Sequence, residues 1–203
     1  MKQKCYVSKS KIHCGPCAFI NLIGLKGTPK LEERLSSIGR IKPFHASDYT
    51  SFLIWAQIYN KDVEVYTTSK KLNDKMLRLM IRYEKIPKNR IKDFKKRAME
   101  RHQKLNNEFS NKIRILKKPL QKLIYFLDEG YKVAILTSDY YSHPKNPVPH
   151  WIVAFKRMGN KYYFMDSAKG IISLTKQQLE RGFEINKKDG FNPQLVVYKK
   201  LST

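Results

Sequence analysis

The spacing of apolar and polar positions makes this chain a run of helices followed by a run of strands. From Cys14, CGPCAFINLIGL reads as a short apolar helix that closes near Gly24 or Gly27. TPKLEERLSSIG follows, with Thr28 as N-cap and a glutamate three to four positions on, the layout of a capped second helix. HASDYTSFLIWAQIYN predicts a third helix starting at Ser47. DVEVYTT, Asp62 to Thr68, alternates with period two, as a half-buried strand does.

The texture then changes. Between Lys70 and Lys118 apolar residues keep helical spacing (Leu72, Met76, Leu79, Tyr83, then Ile91, Phe94, Ala98, Leu105, Phe109, Ile113), so the segment is structured helix. Pro87 separates two helices and Pro119 ends the second. A continuous helix from Lys88 to Leu116 would be about 40 Å long at 1.5 Å per residue. Beyond Pro119 ordinary globular patterning returns. PLQKLIYFLDEG is an amphipathic helix closed by Gly130, and YKVAILTS is a buried strand. The loop DYYSHPKNPVP leads to three further strands, HWIVAFKR, KYYFMDS and PQLVVYKK, with SLTKQQLERGF as a short capped helix between the last two. Helices in front and strands behind predict an α+β fold with helices packed on a largely antiparallel sheet. The expected organisation is one domain, residues 1–69 and 119–203, interrupted by a basic helical insertion at 70–118.

Composition sharpens this picture in two ways. The 203 residues carry 41 Lys+Arg against 17 Asp+Glu, a net charge of +24. Residues 70–118 hold 18 of the bases and 5 of the acids, a net +13 and more than half of the total. Such an excess attracts nucleic acid, anionic lipid or acidic protein through its long-range field, and KKRAMERHQK (Lys95 to Lys104) could lay a positive ridge along phosphates. A solvated helical face explains it equally. No zinc finger, Gly-rich phosphate loop or aromatic-interleaved RNA-binding signature accompanies it. All three cysteines, Cys5, Cys14 and Cys17, lie in the first 17 residues, which excludes a disulfide-stapled secreted scaffold. The start MKQKCYVSKSK has no apolar leader and no later run is long enough to span a bilayer, so a cytoplasmic protein is expected.

The letters Cys-Gly-Pro-Cys within KIHCGPCAFI pose the chemical question. A thioredoxin-type site needs a preceding strand and a βαβ context. Here 13 residues precede Cys14, no Trp does, and three helices follow before the next strand. Zinc is excluded because no second Cys/His pair stands at ligand spacing. No metal or cofactor is expected. The remaining reading is a nucleophile. A cysteine attacks a carbonyl as its thiolate, which a helix N-terminus and a neighbouring imidazole both favour. Gly15 and Pro16 suit a turn into a helix that begins at Cys14, with Cys17 one turn inside as a small buried hydrophobe.

Five histidines could supply the imidazole. His102 falls in the basic segment and reads as a solvated face residue; His45 and His143 lie in loops; His13 adjoins Cys14 but points elsewhere. His150 opens the apolar strand HWIVAF after a Pro-rich loop, and Asp166 ends the next strand, YYFMDS. An antiparallel pairing of those two strands sets Asp166 beside His150, where a carboxylate fixes the imidazole tautomer and supports the imidazolium.

CGPCAF, HWIVAF and YYFMDSAKG together resemble the Cys-Gly-Pro, His-strand and Asp-x-x-x-Gly signatures of the papain-like double-glycine-leader peptidases, the bacteriocin-processing family and its relatives. LIYFLDEGYKVAILTS and GIISLTKQQLERGF extend the resemblance to about three-quarters of the chain, leaving out 70–118. The resemblance implies a cysteine peptidase that cleaves a peptide or isopeptide bond, with Cys14 as nucleophile, His150 as general base and acid, and Asp166 as the orienting residue. Acyl transfer by the same triad is the alternative, as is a degenerate papain-like module that binds nucleic acid through the insertion. The family places a glutamine six residues before the cysteine as oxyanion donor. Here Ser8 stands at that position, with Gln3 farther upstream, and Ser8 is the substitute to be tested. The aromatic loop Asp139 to Pro149 is expected to border the cleft.

Overall fold

A computed structural model of the chain describes residues 4–8, 10, 13–41 and 48–198; Gln3 and His45 lie outside them. In chain order the elements are α1 (Cys14–Ile23), α2 (Pro29–Gly39), α3 (Tyr49–Ile58), β1 (Val63–Thr67), α4 (Asp74–Tyr83), α5 (Ile91–Glu108), β2 (Ile113–Ile115), α6 (Pro119–Asp128), β3 (Lys132–Ser138), β4 (Pro149–Met158), β5 (Lys161–Asp166), β6 (Gly170–Thr175), α7 (Lys176–Lys188) and β7 (Gln194–Tyr198). The class is α+β. Among the described residues seven strands form one mixed sheet in the order β2-β1-β7-β3-β4-β5-β6, with only β1 and β2 parallel.

The sheet is covered on both faces, which is why β3 reads as a continuous apolar run. Ala134 and Leu136 of β3 join Trp151, Val153 and Val196 in a core with Phe19 of α1 and Phe52 and Trp55 of α3. Val133 and Ile135 join Ile152, Ala154 and Val197 in the opposite core, under Leu123 of α6 and Leu179 and Phe183 of α7. Helices α2 and α3 approach so closely at Gly39 that a Cβ there would lie 2.4 Å from Cζ2 of the buried Trp55 indole.

The starts of the helices follow the residues expected to cap them, with one exception in chemistry. The Thr28 side chain accepts from the Leu31 N–H, and Thr175 with Gln178 makes a reciprocal capping box at α7. Glu32 does not complete such a box at α2. It turns inward, 2 % exposed, for reasons that belong to the site below. The third helix takes Asp48 as its N-cap, and Ser47 lies outside the described residues.

Two strands depart from the pattern reading. The helix expected across Lys88 to Leu116 is confined to Ile91–Glu108, with 3-10 turns at Lys88–Arg90 and Ser110–Lys112 on either side. Ile113–Ile115 then pairs with β1, because a β-branched pair beside an open strand edge gains more from a ladder than from another helical turn. GIISLT forms β6 on the outer edge of β5, where the pattern reading had merged its last residues with α7.

Residues 70–118 are tied into the main core. Met76, Leu77 and Met80 of α4 and Phe94 and Ala98 of α5 belong to the same cluster as Phe19 and Trp55. His102, expected on a solvated face, is 5 % exposed. Its Nδ1 lies 2.8 Å from Asp48 Oδ2 and its Nε2 lies 2.9 Å from the Lys70 carbonyl oxygen. Both nitrogens face acceptors, so the ring satisfies them only as an imidazolium. Arg101 adds a second cation 3.5 Å from Asp48 and donates to the Gly39 carbonyl. Burial opposes the charge on His102, but its hydrogen bond to Asp48 and that carboxylate's charge outweigh it and raise its pKa. Burial likewise opposes ionisation of Asp48, yet the His102 hydrogen bond and the Arg101 charge hold it well below the usual carboxylate range. This network fastens α5 to the start of α3. No helix among the described residues is long and apolar enough to cross a membrane.

Removing the ring by His102→Ala leaves Asp48 short of a partner and should lower unfolding free energy by about 3 kcal/mol. Because the folded-state pKa of His102 is raised, its contribution is complete below about pH 6.5 and is lost as pH rises through the elevated value. In denaturant titrations the stability gap between wild type and variant should therefore be widest below about pH 6.5 and narrow as pH rises through the elevated value.

Candidate active site

Cys14 is the first residue of α1, at the point where the helix presents N–H groups that no helical carbonyl can accept from. His13, the N-cap, makes no side-chain cap, so those groups stay open to the site. Gly15 and Pro16 are buried in the first turn. The backbone N–H groups of Gly15 and of Trp151 on β4 both point at the Cys14 sulfur.

His150 and Asp166 come from neighbouring antiparallel strands. Asp166 pairs with Ile152, so His150, two residues earlier in β4, shares its face and sits on the diagonal. The His150 Nε2 lies 3.3 Å from Asp166 Oδ2, with the imidazole 13 % exposed. With Nε2 on the carboxylate, Nδ1 is the nitrogen left to face the sulfur of Cys14, with which His150 interacts closely enough to lower the thiol pKa. The structure thus brings Cys14, His150 and Asp166 into one line of contact.

The charges in this line favour each other. Burial raises the Cys14 thiol pKa, but the hydrogen bond and positive charge of His150 and the two backbone N–H groups outweigh that and lower it. Burial opposes the imidazolium of His150, yet its hydrogen bonds to Asp166 and Cys14 push its pKa up to about 10. Asp166 is held at about 2: burial works against it, while His150, the Ala168 N–H and the Tyr141 hydroxyl favour the carboxylate. These shifts together favour a thiolate–imidazolium pair backed by a carboxylate.

Tyr141 is a member of this site that its sequence context did not single out. Its hydroxyl donates to Asp166 Oδ2 at 2.9 Å, the same oxygen that faces His150. The Ala168 and Lys169 N–H groups donate to Oδ1 at 2.7 and 3.1 Å. The loop that carries Tyr141 is closed by Asp139, which accepts the Val148 N–H at 2.6 Å and lies 2.6 Å from His143 Nδ1. Burial, then the negative charge of Asp166, keep Tyr141 protonated and therefore a donor. Nothing in the periodicity of DYYSHPKNPVP says which of its tyrosines turns back to the sheet; Tyr140 instead donates to the Gln178 carbonyl on α7.

The other expected residues lie apart from the triad. The Ser8 hydroxyl is 2.6 Å from Glu32 Oε1 and 2.8 Å from the Ser10 carbonyl oxygen and accepts the Ser10 N–H, so its single proton has two local acceptors. Glu32 also takes the Tyr6 hydroxyl at 3.0 Å and lies 2.9 Å from His13 Nδ1. This buried carboxylate therefore ties the segment that leads into Cys14 to α2. Gln3 and His45 are outside the described residues. Cys5, Cys14 and Cys17 are free thiols. Among the described residues no group of three His, Cys, Asp or Glu side chains is gathered closely enough to hold a metal ion.

No family model and no curated protein matches this chain.

Asp166→Asn keeps the shape of the site but removes the negative charge that supports the imidazolium. In an NMR titration the His150 ring, whose pKa Asp166 and Cys14 push up to about 10, should move down toward the ordinary value of about 6.5. An unchanged titration would show that Asp166 does not support the ring.

Proposed function

We propose that this chain is a papain-like cysteine peptidase that cleaves a peptide or isopeptide bond through an acyl-enzyme. The observation that carries the reading is the contact line from the Cys14 sulfur through His150 to Asp166, with the thiol pKa lowered and the imidazole pKa raised at a helix N-terminus. Structural histidines pair with carboxylates elsewhere in this protein; only His150 does so while hydrogen-bonded to a thiol among the described residues.

In the first half-reaction the Cys14 thiolate adds to the substrate carbonyl carbon. The negative charge moves to the carbonyl oxygen. The Cys14 backbone N–H, unclaimed by the helix, is the donor that fits this charge, since the Ser8 hydroxyl is engaged by Glu32 and the Ser10 carbonyl. The His150 imidazolium protonates the leaving nitrogen, the C–N bond breaks, and a thioester remains on Cys14. In the second half, neutral His150 takes a proton from water as it attacks the thioester. The C–S bond breaks and the thiolate–imidazolium pair is restored. An amine reaching the thioester before water would give acyl transfer with the same residues.

The peptide partner meets Tyr141 and the loop closed by Asp139, which border the triad. The exposed bases of α4 and α5, among them Arg78, Lys92, Lys96 and Lys104, form a second surface suited to nucleic acid or another polyanion. Three free thiols support a cytoplasmic location.

Iodoacetamide at pH 6 tests the reading directly. An ordinary thiol of pKa about 8.5 is about 0.3 % thiolate there, and the pKa of Cys5 is pushed up to about 11 by burial and the charge of Asp166. Cys14 should be alkylated at least ~10-fold faster than Cys5 or Cys17, after allowing for the lower intrinsic nucleophilicity of a low-pKa thiolate. Equal, slow labelling of all three thiols overturns the proposal.

A further inference from the structure

The peptidase reading uses one cysteine of the Cys-Gly-Pro-Cys motif and leaves the other unexplained. Cys17 is fully buried and is the fourth residue of α1, with Cys14 the first. Side chains three apart on a helix are neighbours, with Cβ atoms about 5–6 Å apart, and a disulfide needs about 3.5–4.5 Å. The gap is bridgeable because Cys14 sits in the first turn, where its own N–H is not tied into the helix. The turn from His13 to Cys17 is closed by the Cys17 N–H on the His13 carbonyl at 3.1 Å, so both thiols belong to one helical turn. The Cys17 thiol donates to the Tyr6 carbonyl at 3.2 Å, so it is placed but not covalently engaged.

The two thiols are also sorted electrically. Burial first, then the neighbouring charges of Glu32, Cys5 and Cys14, push the Cys17 thiol up, whereas Cys14 is pulled down. An oxidant therefore meets Cys14 as the thiolate and Cys17 as a protonated neighbour.

We infer that Cys14 and Cys17 form a reversible oxidation site in which Cys17 resolves the sulfenic acid of Cys14 as an intrahelical disulfide, protecting the nucleophile from irreversible oxidation by hydrogen peroxide. The inference rests on the thiolate of the peptidase reading. In the first step the Cys14 thiolate attacks one oxygen of hydrogen peroxide and the O–O bond breaks. Sulfur is oxidised to Cys14–SOH, and the departing hydroxide takes a proton and leaves as water. In the second step the Cys17 sulfur attacks the Cys14 sulfur, the S–O bond breaks, and the S–S bond forms. The Cys17 proton leaves with the hydroxyl as a second water. Two electrons pass from the pair of thiols to the peroxide, and a dithiol reductant reverses the change. Sulfenic acid left without a resolving thiol goes on to sulfinic and sulfonic acids, which thiols do not reduce.

Trypsin cuts after Lys11 and Lys26 and leaves both cysteines in one peptide, Ile12 to Lys26, while Cys5 falls in the separate peptide Cys5 to Lys9. Full-length wild type, Cys17→Ser and Cys17→Ala are treated with hydrogen peroxide and then with or without dithiothreitol. Each is mapped by mass and labelled with iodoacetamide at pH 6 before and after treatment. In wild type, the peptide Ile12 to Lys26 should lose two hydrogens, Cys14 labelling should vanish, and dithiothreitol should restore nearly all of it. In both variants Cys14 should label normally before peroxide, gain two or three oxygens after it, and recover ~10-fold less. Sulfinic or sulfonic acid on wild-type Cys14, a bond to the Cys5 peptide, or equal recovery in the variants overturns the inference while leaving the nucleophile in place. If Cys14 is not labelled preferentially at pH 6 even before peroxide, the peptidase reading and this inference fall together.

Discussion

The candidate site depends on a carboxylate that stays ionised where water scarcely reaches. Asp166 is 1 % exposed, and an unpaired charge so placed would cost several kcal/mol. Four donors offset this: two backbone N–H groups on Oδ1, and Tyr141 and His150 on Oδ2. The backbone pair comes from the turn between β5 and β6, which closes through Gly170 at φ +80°, a conformation that suits glycine. The motif Asp-x-x-x-Gly is thus a local device. Its last residue makes the turn whose amides keep its first residue charged. That negative charge favours the imidazolium, which in turn favours the thiolate.

A histidine beside a buried carboxylate is nevertheless common in this chain and does not by itself identify chemistry. Glu32 pairs with His13, Asp48 with His102, Asp139 with His143 and Asp166 with His150. In a protein with 17 acidic and 41 basic residues, the buried acids have been matched to imidazoles that can donate in a fixed plane. The far side of the ring separates their roles. For His102 it meets a backbone carbonyl, which makes a structural fastening; His143 is 66 % exposed and braces a loop. For His150 it meets a thiol at the mouth of a helix. Glu32 serves the same locality by another route, holding Tyr6, Ser8 and His13 together around the nucleophile.

The parts of this arrangement legible in the sequence are those set by short-range rules. The apolar run from Cys14, the Thr28 cap and the two strands beginning at His150 and Lys161 follow from period and capping. Antiparallel pairing then predicts that His150 and Asp166 share a face. What escaped was set by distant partners. Ile113–Ile115 became a strand because β1 offered an edge, and His102 turned inward because Asp48 needed a cation. Tyr141 reaches Asp166 because Asp139 closes its loop. The Ser8 hydroxyl is engaged by Glu32, 24 residues away, and by the Ser10 carbonyl. A capping layout placed a glutamate near the start of α2, but Glu32 turns inward to tertiary partners instead.

The net charge of +24 acts at a different range from the site. An imidazolium in contact with the Cys14 sulfur, at about 4 Å and an effective dielectric of about 20, is worth about 4 kcal/mol before desolvation. An exposed lysine about 15 Å away, in water with a Debye length of about 8 Å, is worth only a few hundredths of that unit. Even the 18 basic residues between Lys70 and Lys118, partly cancelled by 5 acids, cannot rival one contacting histidine in setting the thiol pKa. Their apolar neighbours Met76, Leu77, Phe94 and Ala98 hold α4 and α5 in the core, so the basic faces are presented rigidly. A rigid positive surface acts on what approaches: it raises encounter rates with anionic partners and falls off steeply with salt. Chemistry at Cys14 and attraction at α4–α5 are therefore separable, and the first can be altered one residue at a time without changing the second.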